Sequence, residues 1–282
     1  MQNLALIDTH THFDVADFDA DRLQLAQLAY QRGVKALVLI GFLAKRFDQM
    51  VQVQQQINSA NTPHPTALLA PGLHPFYIKQ HTNEHLLQLE QLIKTQSVVA
   101  IGEIGLDTFT IEMKEPTVFA RQQEFFSAQL ELAKQYNLPV LLHIRRAHAE
   151  TLALLKKHQF KHGGIAHAFG GGVEEAKAFV KMGFKLGVTG QVTNPNARRL
   201  HQSIAEVGKT QLVLETDCPD MTPLCCQKSN EHRTRNTPAN LPFVLDGLSK
   251  VLNVGREKLA ETLWQNSLEC LHLNHNLVKL IF

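Results

Sequence analysis

Histidines and carboxylates recur along this chain at the ends of short apolar runs. In the first case, the apolar run from Leu4 to Asp8 is followed closely by His10 and His12. Side chains at positions i and i+2 of an extended backbone project to the same side. Two neutral imidazoles placed side by side can bind one divalent metal ion. His-x-His alone is weak evidence, because two histidines in a surface loop are common.

The same pattern returns after five later apolar runs. The polar residues at their ends are His74, Glu103, His143, His167 and Asp217. Each has an ordinary explanation when taken alone, since a lone histidine is commonly solvated and a lone carboxylate commonly caps a helix. That explanation fails for the residues taken together, because all of these histidines and carboxylates would have to lie at strand ends by chance. Mixed nitrogen and oxygen ligands suit Zn2+, Mn2+, Fe2+ or Mg2+ and do not choose among them.

The apolar runs alternate with amphipathic stretches, which predicts parallel strands joined by helices. The predicted strands cover residues 4–8, 34–40, 66–72, 98–101, 139–142, 164–167, 184–188 and 212–214. The predicted helices cover 19–32, 46–60, 83–95, 116–136, 148–158, 173–182 and 197–207. A polar loop at 219–238 and two or three further helices complete the chain.

Eight such strands indicate an α/β fold, specifically a single (β/α)8 TIM barrel with extra C-terminal helices, as one domain over residues 1–282. The alternative is an open doubly wound sheet. Against it, the first strand–helix turn has no glycine-rich phosphate loop, and polar residues follow several strands instead of one switch point.

The composition is that of an ordinary globular protein and excludes few functions. Of the 282 residues, 44% are hydrophobic, and the net charge of +2 gives no global sign of nucleic-acid binding. The four cysteines are expected to be reduced thiols of a cytoplasmic protein; they are Cys218, Cys225, Cys226 and Cys270. No leader and no apolar run of about 20 residues is evident, so we expect no membrane association. We expect a monomer, with Leu277 to Phe282 ending a docked helix.

Active sites of (β/α)8 barrels lie at the C-terminal ends of the strands. Four imidazoles and two carboxylates exceed what one tetrahedral ion needs, and a carboxylate can bridge two ions about 3.5–4 Å apart. We therefore expect two divalent ions bridged by Glu103. The remaining ligands are assigned as His10, His12 and Asp217 on one ion and His143 and His167 on the other. Asp217 would take the proton of a metal-activated water, which is hydrolytic chemistry.

Six ordered motifs resemble those of one protein family. They are Asp8–His12, Gly72–Pro75, Gly102–Asp107, His143–Arg145, Ala166–Phe169 and Glu215–Pro219. Together they resemble the TatD family of metal-dependent deoxyribonucleases, and the chain looks closest to its YjjV-like branch. The resemblance spans residues 4 to about 240 and implies a barrel of the metallo-dependent hydrolase superfamily. It also implies metal ligation by His10, His12, Glu103, His143, His167 and Asp217.

The resemblance further marks His74 and Arg145 as contacts to substrate phosphate, with catalytic roles for Asp217, Glu103 and His74. Arg145 lies two residues beyond His143, on the same side of an extended segment, and offers a planar fork to phosphate oxygens. An ion pair is the ordinary alternative for Arg145, and a loop cap is the alternative for His74. Arg146 is expected to point the other way and to be structural.

These observations predict a divalent-metal-dependent hydrolase, foremost a 3'-5' exonuclease-like deoxyribonuclease acting on DNA that is single-stranded or at an end. One alternative is an amide or ester hydrolase, for example of an aminoacyl ester of tRNA; another is a non-catalytic metal-binding protein. Many carbonyl hydrolases of the superfamily use a modified lysine on strand 4, whereas Glu103 has no adjacent lysine here. Residues 108–110 and 219–221 depart from the family pattern, which affects the walls that select the substrate.

Overall fold

Parallel strands alternate with helices in the computed structural model, which describes residues 4–228 and 234–273. Within these residues the strands are β1 (Leu6–Thr11), β2 (Val34–Ile40), β3 (Thr66–Ala70), β4 (Ile101–Asp107), β5 (Val140–Arg145), β6 (Gly164–Ala166), β7 (Phe184–Val188) and β8 (Leu212–Leu214). The α-helices are α1 (Arg22–Gln31), α2 (Phe47–Asn58), α3 (Asn83–Thr95), α4 (Pro116–Gln135), α5 (His148–Lys157), α6 (Val173–Lys181), α7 (Arg198–Val207), α8 (Leu241–Leu252) and α9 (Arg256–Cys270). The predicted order is confirmed, including additional helices after the eighth strand.

Strands β1 to β3 form one parallel ladder and β4 to β8 form a second. One junction between the ladders lies between β8 and β1. There the Asp217 N–H donates to the His10 carbonyl, and the His12 N–H donates to the Cys218 carbonyl, both at 2.9 Å. These bonds lie at the C-terminal ends of the strands, so they close the barrel beside the predicted site.

The second junction lies between β3 and β4. The Gly102 N–H donates to the Pro71 carbonyl at 3.0 Å, and the Glu103 N–H donates to the Gly41 carbonyl at 2.9 Å. A Cβ at Gly72 would lie 2.6 Å from the carbonyl carbon of Gly102, so these backbones can approach only because residue 72 is glycine. With both junctions bridged, the strands form the predicted (β/α)8 barrel.

Three strands extend farther toward the site than the apolar runs predict. The sequence predicts ends at residues 8, 101 and 142, whereas β1, β4 and β5 end at residues 11, 107 and 145. His10, Glu103 and His143 therefore lie within strands and not after them. Polar side chains do not end these strands because the backbone ladder continues, with Gly105 paired to His143.

The interior of the barrel changes from apolar to polar along the strands. One buried apolar cluster takes side chains from strands around the barrel, including Ile7, Val38, Leu141, Ile165 and Val213, and Trp264 of α9. His143 lies two residues beyond Leu141 on the same face of its strand. His167 has the same relation to Ile165. The alternation of side chains thus leads from the core directly into the site.

Helix α9 lies at the other end of the barrel. The Asn266 side-chain amide donates to the Lys209 carbonyl at 2.8 Å and to the Leu212 carbonyl at 2.7 Å, at the start of β8. The helix therefore covers the N-terminal end of the strands, away from the histidines. Among residues 4–228 and 234–273, no helix has both the length and the apolar character needed to cross a membrane.

Two parts of the sequence prediction fall wholly or partly outside the described residues. The polar loop predicted at 219–238 contains a short 3-10 helix at Leu224–Cys226, while residues 229–233 of the loop are not described. The helix end predicted for Leu277 to Phe282 also lies outside the described residues.

Asp8 joins β1 to the segment after β8, so its removal should destabilise the barrel. This buried carboxyl accepts hydrogen bonds from the Thr216 N–H at 2.9 Å and from the Thr216 hydroxyl at 2.6 Å. We expect Asp8→Ala to lower the free energy of unfolding by about 3 kcal/mol, because two buried donors lose their acceptor. Urea denaturation in a chelator measures this, with Glu261→Ala on the exposed side of α9 as control. Equal stability of the Asp8 variant and wild type would contradict the role.

Candidate metal centre

The Glu103 carboxylate lies among four imidazoles and is only 2% exposed. Its Oε2 is 3.2 Å from His10 Nε2 and 3.6 Å from His12 Nε2. Its Oε1 is 2.6 Å from His143 Nδ1 and 3.3 Å from His74 Nε2. The two oxygens therefore face two different pairs of histidines, an arrangement that suits a carboxylate shared between two cations.

Asp217 lies on the other side of the same histidines. Its Oδ1 is 3.7 Å from His10 Nε2 and 3.8 Å from His12 Nε2, and its Oδ2 is 3.6 Å from His167 Nε2. His167 Nε2 also lies 4.0 Å from Glu103 Oε1. The structure thus brings the six residues predicted as metal ligands into one cluster.

The spacing around His10 and His12 fits a divalent metal ion. Two ligand atoms bound about 2.1 Å from one tetrahedral ion lie about 3.4 Å apart, whereas a direct N–H···O hydrogen bond is about 2.9 Å long. The distances from His10 and His12 to the two carboxylates fall between 3.2 and 3.8 Å. In addition, both ring nitrogens of His10 are buried without a hydrogen-bond partner. Such nitrogens are costly to bury, and a cation would give one of them a partner.

The histidines of the cluster hold the pKa values of both carboxylates low. Burial alone would raise the pKa of Glu103, but the surrounding imidazoles, His74 and His10 foremost, hold that pKa well below its usual value. Burial also opposes ionisation of Asp217, but His167 outweighs it and lowers the pKa of Asp217. Both groups are therefore anionic near neutral pH, which is the form that binds a cation.

His74 is held with a donor directed at Glu103. Its Nδ1 accepts a hydrogen bond from the Phe76 N–H at 3.0 Å and so caps the 3-10 helix Pro75–Gln80. Burial lowers the pKa of His74 to about 4, against the opposing charge of Glu103, so the ring is neutral. A neutral imidazole that accepts at Nδ1 carries its proton on Nε2. His74 therefore acts as a loop cap and offers an N–H to an oxygen in the site, although its position alone would also suit a metal ligand.

Asp107 orients His143, a role that the sequence analysis does not assign. Its Oδ2 lies 2.9 Å from His143 Nε2, and its Oδ1 accepts from the Phe109 N–H at 2.7 Å. Burial alone would lower the pKa of His143, but Glu103 and Asp107 raise it to about 9. With Nε2 directed at Asp107, the Nδ1 atom of His143 is left facing Glu103.

Glu215 has the corresponding place beside His167. Its Oε1 lies 2.9 Å from His167 Nδ1 and accepts from the Ala168 N–H at 2.6 Å. A Cβ at Gly187 on the neighbouring strand would lie 2.4 Å from the Glu215 carboxylate oxygens, so glycine there provides the space. The sequence carried a sign of this role, because Glu215 precedes Asp217 by two residues and would share its side of an extended segment.

The cluster opens into a cleft with a volume of about 1190 Å³. Arg145, the predicted phosphate contact, is exposed and lines this cleft. Arg146 lines it as well, contrary to the expectation that it points the other way. Its backbone φ of 57° is in the left-handed region, which breaks the alternation of an extended chain. Within the described residues neither guanidinium forms an ion pair with a carboxylate, although the charge of Arg145 acts on the nearby Asp107 and lowers its pKa.

This chain is similar to proteins of one family. The family model described as TatD related DNase matches residues 7–272. The uncharacterized metal-dependent hydrolase YjjV of Escherichia coli (strain K12) is 38% identical over 217 residues, covering 76% of this chain and 80% of that protein. The 3'-5' ssDNA/RNA exonuclease TatD of Edwardsiella piscicida is 29% identical over 243 residues, covering 86% and 89%. The crystal structure of YjjV matches with a TM-score of 0.85 at 33% identity, covering 95% of this chain and 98% of that chain.

Removal of the shared carboxylate should reduce metal binding. We expect Glu103→Ala to weaken binding of divalent ions by more than about 100-fold and to abolish hydrolysis, since each oxygen of Glu103 faces a separate pair of histidines. Titration calorimetry of chelated protein and metal analysis of purified protein measure the effect. Glu150→Ala, an exposed carboxylate of the same cleft outside the cluster, is the matched control. Unchanged metal affinity of Glu103→Ala would contradict a bridging position.

A change behind His167 should have a smaller effect of the same sign. We expect Glu215→Gln to weaken metal binding by about 10–100-fold, because the ring loses the anion that orients it. Gly187→Ala should act likewise by displacing Glu215. Gly170→Ala is the control, because a Cβ there would meet nothing nearer than 3.9 Å. Circular dichroism verifies that the variants fold, and wild-type metal affinity in both test variants would refute the orienting role.

Proposed function

The chain belongs to the family of TatD related DNases and is a metal-dependent hydrolase of that family, and from this premise we propose that it shortens single-stranded DNA from its 3' end. The observation that carries the proposal is the Glu103 cluster, which lies in a cleft walled by Arg145 and Arg146. Anionic ligands for cations beside exposed guanidinium groups suit a substrate that carries phosphate. The name of the Edwardsiella relative supports the direction of cleavage.

We further propose that two divalent ions bind in this cluster. The atoms that surround the first place are Glu103 Oε2, Asp217 Oδ1, His10 Nε2 and His12 Nε2, with separations of 3.2–3.8 Å between imidazoles and carboxylates. A second ion would be held by Glu103 Oε1 with His143 and His167, and His74 lies in the same group of ligand atoms as Glu103 and His143. The donor set admits Zn2+, Mn2+ and Mg2+.

The ions, when bound, would lower the pKa of a coordinated water and neutralise charge that develops on phosphate oxygens. Asp217 is 13% exposed and faces the cleft, so its carboxylate can accept the proton that the attacking water loses. His74 presents its Nε2–H on the Glu103 Oε1 side and can donate to a phosphate oxygen or to the leaving oxygen. Both groups are held before substrate arrives, which limits reorganisation during the reaction.

The shape of the site favours the end of a single DNA strand over a continuous DNA duplex. The cleft is at one end of the barrel, and the β-strands and helix α9 fill the other end with apolar side chains. A chain terminus can enter such a pocket, whereas both strands of an uninterrupted duplex cannot. Arg145 and Arg146 are exposed and line the same cleft, which supports contact with the phosphate backbone of a bound DNA end.

Chelated protein that is resupplied separately with Mg2+, Mn2+ and Zn2+ tests this function. Each form is given bis(p-nitrophenyl) phosphate, single-stranded DNA labelled at either end, and a carboxyl ester. We expect metal-dependent shortening, with the 5' label retained on progressively shorter products. Asp217→Asn is expected to fold and to lose about 10²- to 10⁴-fold in turnover, since a metal ligand and proton acceptor is lost.

Ester turnover without phosphodiester cleavage would assign the chain to the carbonyl hydrolases instead. Retention of metal with no hydrolysis of any of the three substrates would indicate a non-catalytic metal-binding protein. Loss of the 5' label as a mononucleotide would reverse the proposed direction while leaving the reaction class intact.

A further inference from the structure

We propose that Phe109, Arg145 and Arg146 form a second phosphate-binding site, the outer phosphate site, which holds a backbone phosphate next to the one at the Glu103 cluster. The inference rests on the proposed function for the kind of ligand, a phosphodiester of a single-stranded nucleic acid. It extends that function by adding Arg146 and Phe109 to the residues that bind substrate. It also requires a substrate with more than one phosphodiester linkage.

The backbone brings two consecutive arginines to one aromatic ring. Side chains of neighbouring residues in a strand point to opposite faces, but Arg146 has left-handed φ, which is unfavourable for a residue other than glycine. The Thr108 hydroxyl donates to the Arg146 carbonyl at 2.8 Å, and the Thr108 N–H donates to the Arg145 carbonyl at 2.9 Å. As a result the guanidinium carbons of Arg145 and Arg146 lie 3.5 and 4.7 Å from the centroid of the Phe109 ring.

No carboxylate of the described residues forms an ion pair with either arginine, although the charge of Arg145 helps to lower the pKa of Asp107. Arg145 and Arg146 are both exposed. The nearby Asp107 is committed, because one of its oxygens contacts His143 and the other accepts from the Phe109 N–H. Cation–π contacts with Phe109 hold both guanidinium groups at the ring and bring the two positive charges close together. Two adjacent cations repel each other, and an anion between them removes that repulsion; a phosphate also matches their planar donors.

The register of the strands places this site outward from the metal cluster. His143 is paired with Gly105 and Arg145 with Asp107, so Arg145 lies two residues, about 6.6 Å of strand, nearer the mouth than His143. Stacking on Phe109, which follows Asp107 by two residues, keeps the guanidinium in that outer layer. A phosphate held there is therefore a neighbour of the scissile phosphate and not the scissile phosphate itself.

The first test measures binding without hydrolysis. Fluorescence anisotropy of a labelled single-stranded oligonucleotide in chelator gives affinity over a range of salt concentrations. We expect Arg146→Ala to bind about tenfold more weakly at low salt, and the slope of log K against log salt to fall by about 0.7, the value for one phosphate contact on a single strand. Lys161→Ala is the control for charge, because Lys161 is exposed before β6 at the opposite end of the barrel.

A second variant separates binding from folding. Arg146→Gly keeps the left-handed backbone without strain, so it should unfold at or above the wild-type temperature while it binds as weakly as Arg146→Ala. Arg146→Lys should recover only part of the affinity, because an ammonium keeps the charge but not the planar fork. Full affinity in Arg146→Gly would overturn the proposal.

The position of the contact is tested with oligonucleotides in which one phosphate at a time is replaced by neutral methylphosphonate. Wild type should lose affinity at one linkage beside the terminal one, and Arg146→Ala should lose nothing further at that linkage. Equal losses for both proteins at every linkage would overturn the outer phosphate site. Hydrolysis measured in parallel keeps the two hypotheses apart: specific binding without cleavage contradicts only the proposed function, and cleavage with unchanged Arg146→Ala binding contradicts only the outer site.

Discussion

A buried carboxylate surrounded by imidazoles is the interaction on which the site depends. Glu103 is nearly inaccessible to water, and an isolated anion there would be strongly unfavourable. His10 of β1, His143 of β5 and His167 directly after β6 offset that cost, and they can do so only because the barrel brings its strand ends together. The close approach at Gly72 and the bonds between β1 and the residues after β8 are therefore requirements of the charge cluster as well as of the fold.

The sequence predicts the barrel and the gathering of its polar residues because both follow from short-range patterns. Alternating faces of a strand link Leu141 to His143, and the repetition of apolar runs gives the order of elements. Strand ends were not predictable in this way, since a buried histidine and a loop histidine look alike in sequence. The orientation of Arg146 depends on Thr108, which is 38 residues away. Similarly, the Glu215 carboxylate can lie beside His167 only because Gly187, on the neighbouring strand β7, has no side chain.

The cluster and the rim of the cleft are built from different parts of the chain. The histidines and carboxylates of the cluster lie within strands or directly after them, where the ladder and the core fix their positions. Tyr77, Arg146 and Met221 of the rim lie beyond the strand ends. Reaction chemistry and substrate selection are thereby separable, as is common for barrels of this kind. His74 connects the two, because it caps a rim helix and also points at Glu103.

The apolar filling between the strands and Trp264 has a kinetic consequence. In the described residues, the cleft continues to no exit through the base of the barrel, because α9 and the strand side chains occupy that space. A chamber with one opening admits substrate and releases product by the same route. If the substrate is the single-stranded DNA proposed above, each detached nucleotide must leave past the DNA strand that delivered it. A single opening would then favour release of the DNA between cuts over its continuous passage through the barrel.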